Sequence, residues 1–216
     1  MSNSSGGLVE FLIGLPIFEA EWVLWLLLIL WFVSVAVMLE RYVFFSKRRI
    51  DASRVRSELD ELLAADDFKG AAKHLEKYDS LETNVVLFGL RQYSKGPESV
   101  EDLLTGAESS EKQRFQSRLG FLATVGSNAP FIGLFGTVLG IIKAFGELGE
   151  DLSAAGGDLM LGISEALVAT GVGLVVAIPA VIAFNYFNAK LTERVAKTDL
   201  LARTLLAQLK SEEEAA

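Results

Sequence analysis

Of 216 residues, 51% are hydrophobic, and 28 acidic against 20 basic side chains leave a formal net charge of −8. The mean hydropathy is +0.37, yet the apolar residues gather into a few blocks instead of spreading with core-forming periodicity, which speaks against a soluble globular domain. With no cysteine and one histidine, the chain offers no disulfide framework or thiolate site. His74, in DDFKGAAKHLEKYD, has no second ligand at useful spacing, so neither a metal nor a cofactor is expected.

Residues 1–21 read as an extracytoplasmic N-terminal segment. Their apolar stretch, residues 8–18, lacks a basic n-region and is interrupted by Glu10, Gly14 and Pro16. That pattern suits a short amphipathic segment on the outer interface better than a cleaved signal peptide. The first span is placed at residues 22–40, where an uncharged apolar run from Trp22 to Leu39 lies between Glu21 and Glu40, close to the ~20 residues needed to cross a bilayer core.

A polar region follows at 41–118, with only short apolar runs and no strand signal. Val55, Leu59 and Leu62 at helical spacing suggest that the first span continues inward as an amphipathic helix. Asp66 or Asp67 is placed to cap a second helix ending near Tyr78. A short helix is expected around 85–93. After the Lys95-Gly96-Pro97 break, another is expected to begin near Glu98 and lead toward the second span. The charges here read singly as a solvated helical surface. Because acidic and basic residues nearly balance, the region does not resemble a nucleic-acid binder; its expected work is packing against its own copies.

The second span, residues 119–145, is more than an anchor. Ala129, Gly133, Gly136 and Gly140 recur at intervals of four, three and four, which puts four small residues on one face where helix backbones can approach closely. Thr137 falls on that face, and Phe131, Phe135, Val138 and Ile142 occupy the opposite one. Near the outer end Lys143 is positioned to snorkel to the interface.

A short acidic extracytoplasmic loop, 146–158, leads to the third span, 159–187. There Gly162, Ala166, Ala169, Gly173, Ala177 and Ala180 repeat the small-residue stripe, flanked by Glu165 and Thr170. Glu165 is the only charge of this span. A carboxylate in a membrane helix costs roughly 2.5–3.5 kcal/mol even on gentle insertion scales, and so marks a functional site by default. It offers proton handling, whereas no nucleophile, base and orienting group occur together as an enzyme requires. Pro130 and Pro179 remove backbone hydrogen bonds and are expected to kink their helices. Leu191, Val195 and Leu205 suggest that the third span continues as a C-terminal helix over 188–216.

Basic residues set the orientation. Arg41, Lys47, Arg48 and Arg49 follow the first span, Lys112, Arg114 and Arg118 precede the second, and Lys190, Arg194 and Lys197 follow the third. The positive-inside rule therefore places the N-terminus outside and the C-terminus in the cytoplasm.

The stretches GSNAPFIGLFGTVLGIIKAF (126–145) and GISEALVATGVGLVVAIPAVIAFNYF (162–187) closely resemble the paired signatures of the MotA/TolQ/ExbB proton-channel family. The three-span layout is most similar to ExbB and TolQ; MotA-type stators usually have four spans. The resemblance implies an all-α membrane protein of the bacterial inner membrane whose long cytoplasmic helical extensions form a vestibule. Five copies would close a ring lined by the second and third helices, with Thr137, Glu165 and Thr170 in the proton pathway. It implies an ExbD/TolR-like single-span partner carrying a transmembrane Asp, a TonB/TolA-like protein beyond it, contact with membrane lipids, and no nucleic acid. The function implied is a stator or channel subunit of a motor driven by the proton motive force. The residues leave one alternative open, a membrane scaffold whose small-residue faces gather partners while Glu165 makes a structural hydrogen bond.

Overall fold

The structure is a computed structural model and describes residues 21–150 and 155–215. The expected N-terminal interfacial segment and residues 151–154 of the expected extracytoplasmic loop lie outside the described residues. Among the described residues seven α-helices follow in order: α1 (Glu21–Lys47), α2 (Ala52–Ala64), α3 (Phe68–Leu75), α4 (Leu81–Leu90), α5 (Pro97–Gln116), α6 (Leu119–Glu150) and α7 (Ala155–Ala215). A 3₁₀ turn, Tyr93–Lys95, stands between α4 and α5. Among the described residues there is no strand. The sequence-based picture of an all-helical chain agrees with this, and three of its helices are long and apolar enough to cross a membrane.

The chain divides into two compact units, one drawn from residues 1–38 and 121–184, the other from 39–120 and 185–216. The first unit is the apolar one. Val23 and Leu27 of α1, Leu122, Val125, Ala129 and Leu139 of α6, and Ala166, Ala169, Val176 and Ala180 of α7 are buried. Trp25, Ile29, Phe32, Phe131, Val175, Ile178 and Ile182 are exposed. So much bare apolar surface is incompatible with water and suited to lipid. Pro130 and Pro179 lie inside continuous helices.

In the second unit, local chemistry sets each helix boundary. The Asp51 side chain accepts from the amides of Ser53 and Arg54, starting α2 afresh. The first span therefore does not run on into an amphipathic extension. The buried stripe is Val55, Leu59 and Leu63, so Leu63 takes the place expected for Leu62. Asp67 caps α3 by accepting from Gly70 N at 2.8 Å. At α4, Ser80 and Thr83 form a capping box, so the helix begins at Leu81 and ends at Leu90, earlier at both ends than the expected 85–93. Gly96, at φ +85°, leads into Pro97 at the head of α5.

Phe115 is fully buried, its ring 5.0 Å from Phe44 and 5.4 Å from Phe45. Burying such a side chain contributes about 1.5–3 kcal/mol. Along α7 the buried positions Phe187, Leu191, Arg194, Thr198, Leu201, Leu205 and Leu209 recur in steps of four or three, the spacing of a helix seam. Leu191 and Leu205 lie in it as expected, but Val195 does not; Arg194 occupies that turn. Arg41 and Glu82 are buried too, so the reading of the polar region's charges as uniformly solvated is corrected at these two positions. Arg194, taken in the sequence only as a basic flank, joins them in the interior.

Candidate functional site: the glycine-lined helix pair

Glycine decides how α6 and α7 meet. A Cβ added at Gly133 would fall 2.7 Å from the Ala169 carbonyl oxygen and 3.2 Å from Gly173 Cα. One added at Gly173 would fall 2.7 Å from the Ala129 carbonyl oxygen. Gly140 lies against Ala166 and Gly162 against Ala144, while Gly136 lies against both Ala169 and Val23 of α1. No side chain larger than hydrogen fits at these crossings without backbone movement, so the two helices touch through their main chains.

That contact sets the polar geometry. Thr137 is only 8% exposed, and its Oγ1 lies 3.2 Å from the carbonyl oxygens of both Gly133, on its own helix, and Ala166, across the interface. It also hydrogen-bonds the Thr170 hydroxyl. A threonine has one O–H and two lone pairs. Thr137 can therefore donate to a carbonyl while accepting from Thr170, and the two hydroxyls form a short polar bridge within an otherwise apolar interface.

Glu165 stands apart from that bridge. It is exposed, beside buried Ala166, and among the described residues no hydrogen bond or ion pair reaches it. The fold thus brings Thr137 and Thr170 together and leaves Glu165 exposed on α7, outside that pair. Lys143 is exposed. His74 is half-buried, its Nε2 2.8 Å from Glu58 Oε2, and no group of three metal-ligating side chains occurs among the described residues.

Apart from Thr137, sequence reasoning missed the buried polar residues. Ser34, on α1, is fully buried, and its hydroxyl has no hydrogen-bond partner. In the second unit Arg41 donates to Ser117 O at 3.1 Å and Ser117 Oγ at 3.2 Å. Arg194 donates to Arg48 O at 2.6 Å and Phe45 O at 2.8 Å. The available signal was positional, since Arg194 and Thr198 fall in register with Leu191, Leu201 and Leu205.

Three long apolar helices, two of them joined through glycine backbones with polar atoms held at the crossing, define a multi-span helical membrane protein. The model of the MotA/TolQ/ExbB proton channel family matches residues 77–199, more than half of the chain, from just before α4 through α6 and the part of α7 that carries Thr170 and Glu165. The chain belongs to the MotA/TolQ/ExbB proton channel family.

Among its relatives, the Tol-Pal system protein TolQ of Pseudomonas aeruginosa is 47% identical over 93 residues, 43% of this chain and 40% of that protein. The biopolymer transport protein ExbB of Xanthomonas campestris pv. campestris is 38% identical over 149 residues, 69% of this chain and 56% of its own length. A putative biopolymer transport protein ExbB-like 2 of Helicobacter pylori is 49% identical over 86 residues, 38% of this chain and 55% of that one. The chain spans about half the length of these relatives.

Proposed function

We propose that this chain is the channel-forming stator subunit of a motor driven by the proton motive force. The observation that carries the reading is the pairing of Thr137 and Thr170 across a glycine-tight helix crossing, where α7 also carries the exposed Glu165. Hydroxyls relay protons by donating and accepting, and a carboxyl takes one up and releases it.

Its three spans contain no aspartate. That fits a subunit whose main proton carrier comes from an ExbD/TolR-like single-span partner, with five copies of this chain ringed around it. The protein would sit in the bacterial inner membrane, N-terminus in the periplasm and C-terminus in the cytoplasm, with residues 41–118 and 188–216 forming the cytoplasmic part. Relatives named for biopolymer transport and for the Tol-Pal system suggest that it energises outer-membrane transport or envelope maintenance, through a TonB/TolA-like protein. A charge moving through ~100 mV releases about 2.3 kcal/mol, on the scale of a conformational coupling energy. The role is energetic coupling and not bond chemistry.

The test is motor output in cells expressing the chain with its ExbD/TolR-like partner. Glu165→Gln should abolish output while complexes still assemble; undiminished output would favour the scaffold.

A further inference from the structure

The last turn of a helix leaves carbonyl groups with no amide to accept from, and the helix dipole adds partial negative charge there. At the end of α1, Arg49 N bonds Ser46 O at 3.3 Å. The carbonyls of Phe45 and Arg48 instead receive Nη2 and Nη1 of Arg194, at 2.8 and 2.6 Å. Arg194 is 8% exposed, and its guanidinium carbon lies 5.7 Å from the centre of the Phe45 ring and 5.4 Å from that of Phe115. A guanidinium so placed satisfies two orphan acceptors with two donors of one planar fork.

Its counter-charge is held differently. Glu82, only 3% exposed, keeps Oε2 3.9 Å from Arg194 Nη1, and that oxygen has no hydrogen-bond partner. Burial disfavours the charged form of Arg194, and Glu82 opposes that effect. The directional bonds of Arg194 therefore go to the α1 carbonyls, whereas Glu82 supplies charge alone.

We propose that Arg194 is the C-terminal cap of α1 and the positioning residue that fixes α1 against α7 in this unit, through the forked geometry of its guanidinium and not through its charge. Lysine carries the charge but is a compact, strongly hydrated point donor without the fork. A cavity of about 1020 Å³, lined in part by Arg194, Glu82, Ser46 and Lys190, gives small cations access to the site.

The rings of Phe45 and Phe187 lie 5.2 Å apart, and the chain has no cysteine. Cysteines placed at 45 and 187 in the full-length chain, in native membranes, therefore report the α1–α7 register through their yield with a short bis-thiol reagent. Arg194→Lys should lower that yield several-fold, and Glu82→Gln should leave it near the parent value. Arg194→Ala should lose it and regain it on addition of guanidinium ion, but not of ethylammonium. Parental yield with Arg194→Lys, equal rescue by ethylammonium, or a fall with Glu82→Gln as deep as with Arg194→Lys would overturn the proposal. If the alanine variant does not accumulate, the lysine variant alone decides. Proton flow plays no part in this readout, so it stands or falls apart from the channel reading.

Discussion

Gly133 and Gly173 face each other across the α6–α7 crossing so closely that a Cβ on Gly173 would come within 3.1 Å of Gly133 Cα. Each helix thereby fixes what its neighbour can carry at that level. Overpacking a tight interface costs about 1–3 kcal/mol. Gly133→Ala and Gly173→Ala should each lower the unfolding midpoint in detergent. Gly106→Ala, with nothing within 4 Å of its Cβ position, should hold or raise it, because alanine is the better helix former by about 0.8–1 kcal/mol. Equal effects at all three positions would contradict the crossing.

The Thr137 hydroxyl has partners on both helices. Thr137→Ser keeps the hydroxyl and should keep transport. Thr137→Val keeps the shape, forfeits bonds worth about 0.5–1.5 kcal/mol net each, and should lose transport far beyond what that loss of stability explains. Output measured at matched assembly checks this; a valine variant that works like serine would contradict it.

Asp79 is one of the carboxyls that make the second unit sensitive to acid. Burial pushes its carboxyl up, but hydrogen bonds from Arg114 and Asn84 and the charges of Arg114 and Arg48 outweigh this and hold it below its ordinary value. A carboxyl with a depressed folded-state pKa stabilises above its unfolded-state pKa, and that contribution is lost as pH falls through the folded one. Stability should therefore decline as pH drops below about 4. Asp79→Asn should flatten that decline while lowering stability at neutral pH, as thermal melts across pH would read.

Arg118 holds φ at +64° between α5 and α6, a region that costs a side-chain-bearing residue roughly 1–2 kcal/mol. Its ion pair with Glu40, at 3.2 Å on the surface, returns little. Arg118→Gly should match or exceed the parent in unfolding midpoint, and Arg118→Val should fall below both. The reverse order would mean that the ion pair outweighs the backbone.

The three apolar helices were legible in the sequence because a span is written in hydropathy and length, which need no knowledge of neighbours. Asp67 as a cap was legible for the same reason: capping is local chemistry. The burial of Arg194 and Glu82 was not, because a charge on a polar segment reads as solvated until the carbonyls of Phe45 and Arg48 are seen beside it. Leu62 and Leu63 illustrate a smaller limit, for steps of three and four from Leu59 both suit a helical stripe, and only the packing shows that Leu63 is the buried one. At the candidate site, Thr137 and Thr170 were both named from the sequence, but only the packing of α6 against α7 could pair these two residues, 33 positions apart in the chain, and leave Glu165 outside the pair.

The most direct measurement is proton entry into vesicles holding this chain with its ExbD/TolR-like partner, followed by an internal pH dye under an imposed membrane potential. The account predicts partner-dependent acidification that Glu165→Gln removes and Thr137→Val strongly reduces, with complexes of unchanged size. Equal acidification by all three proteins would contradict it.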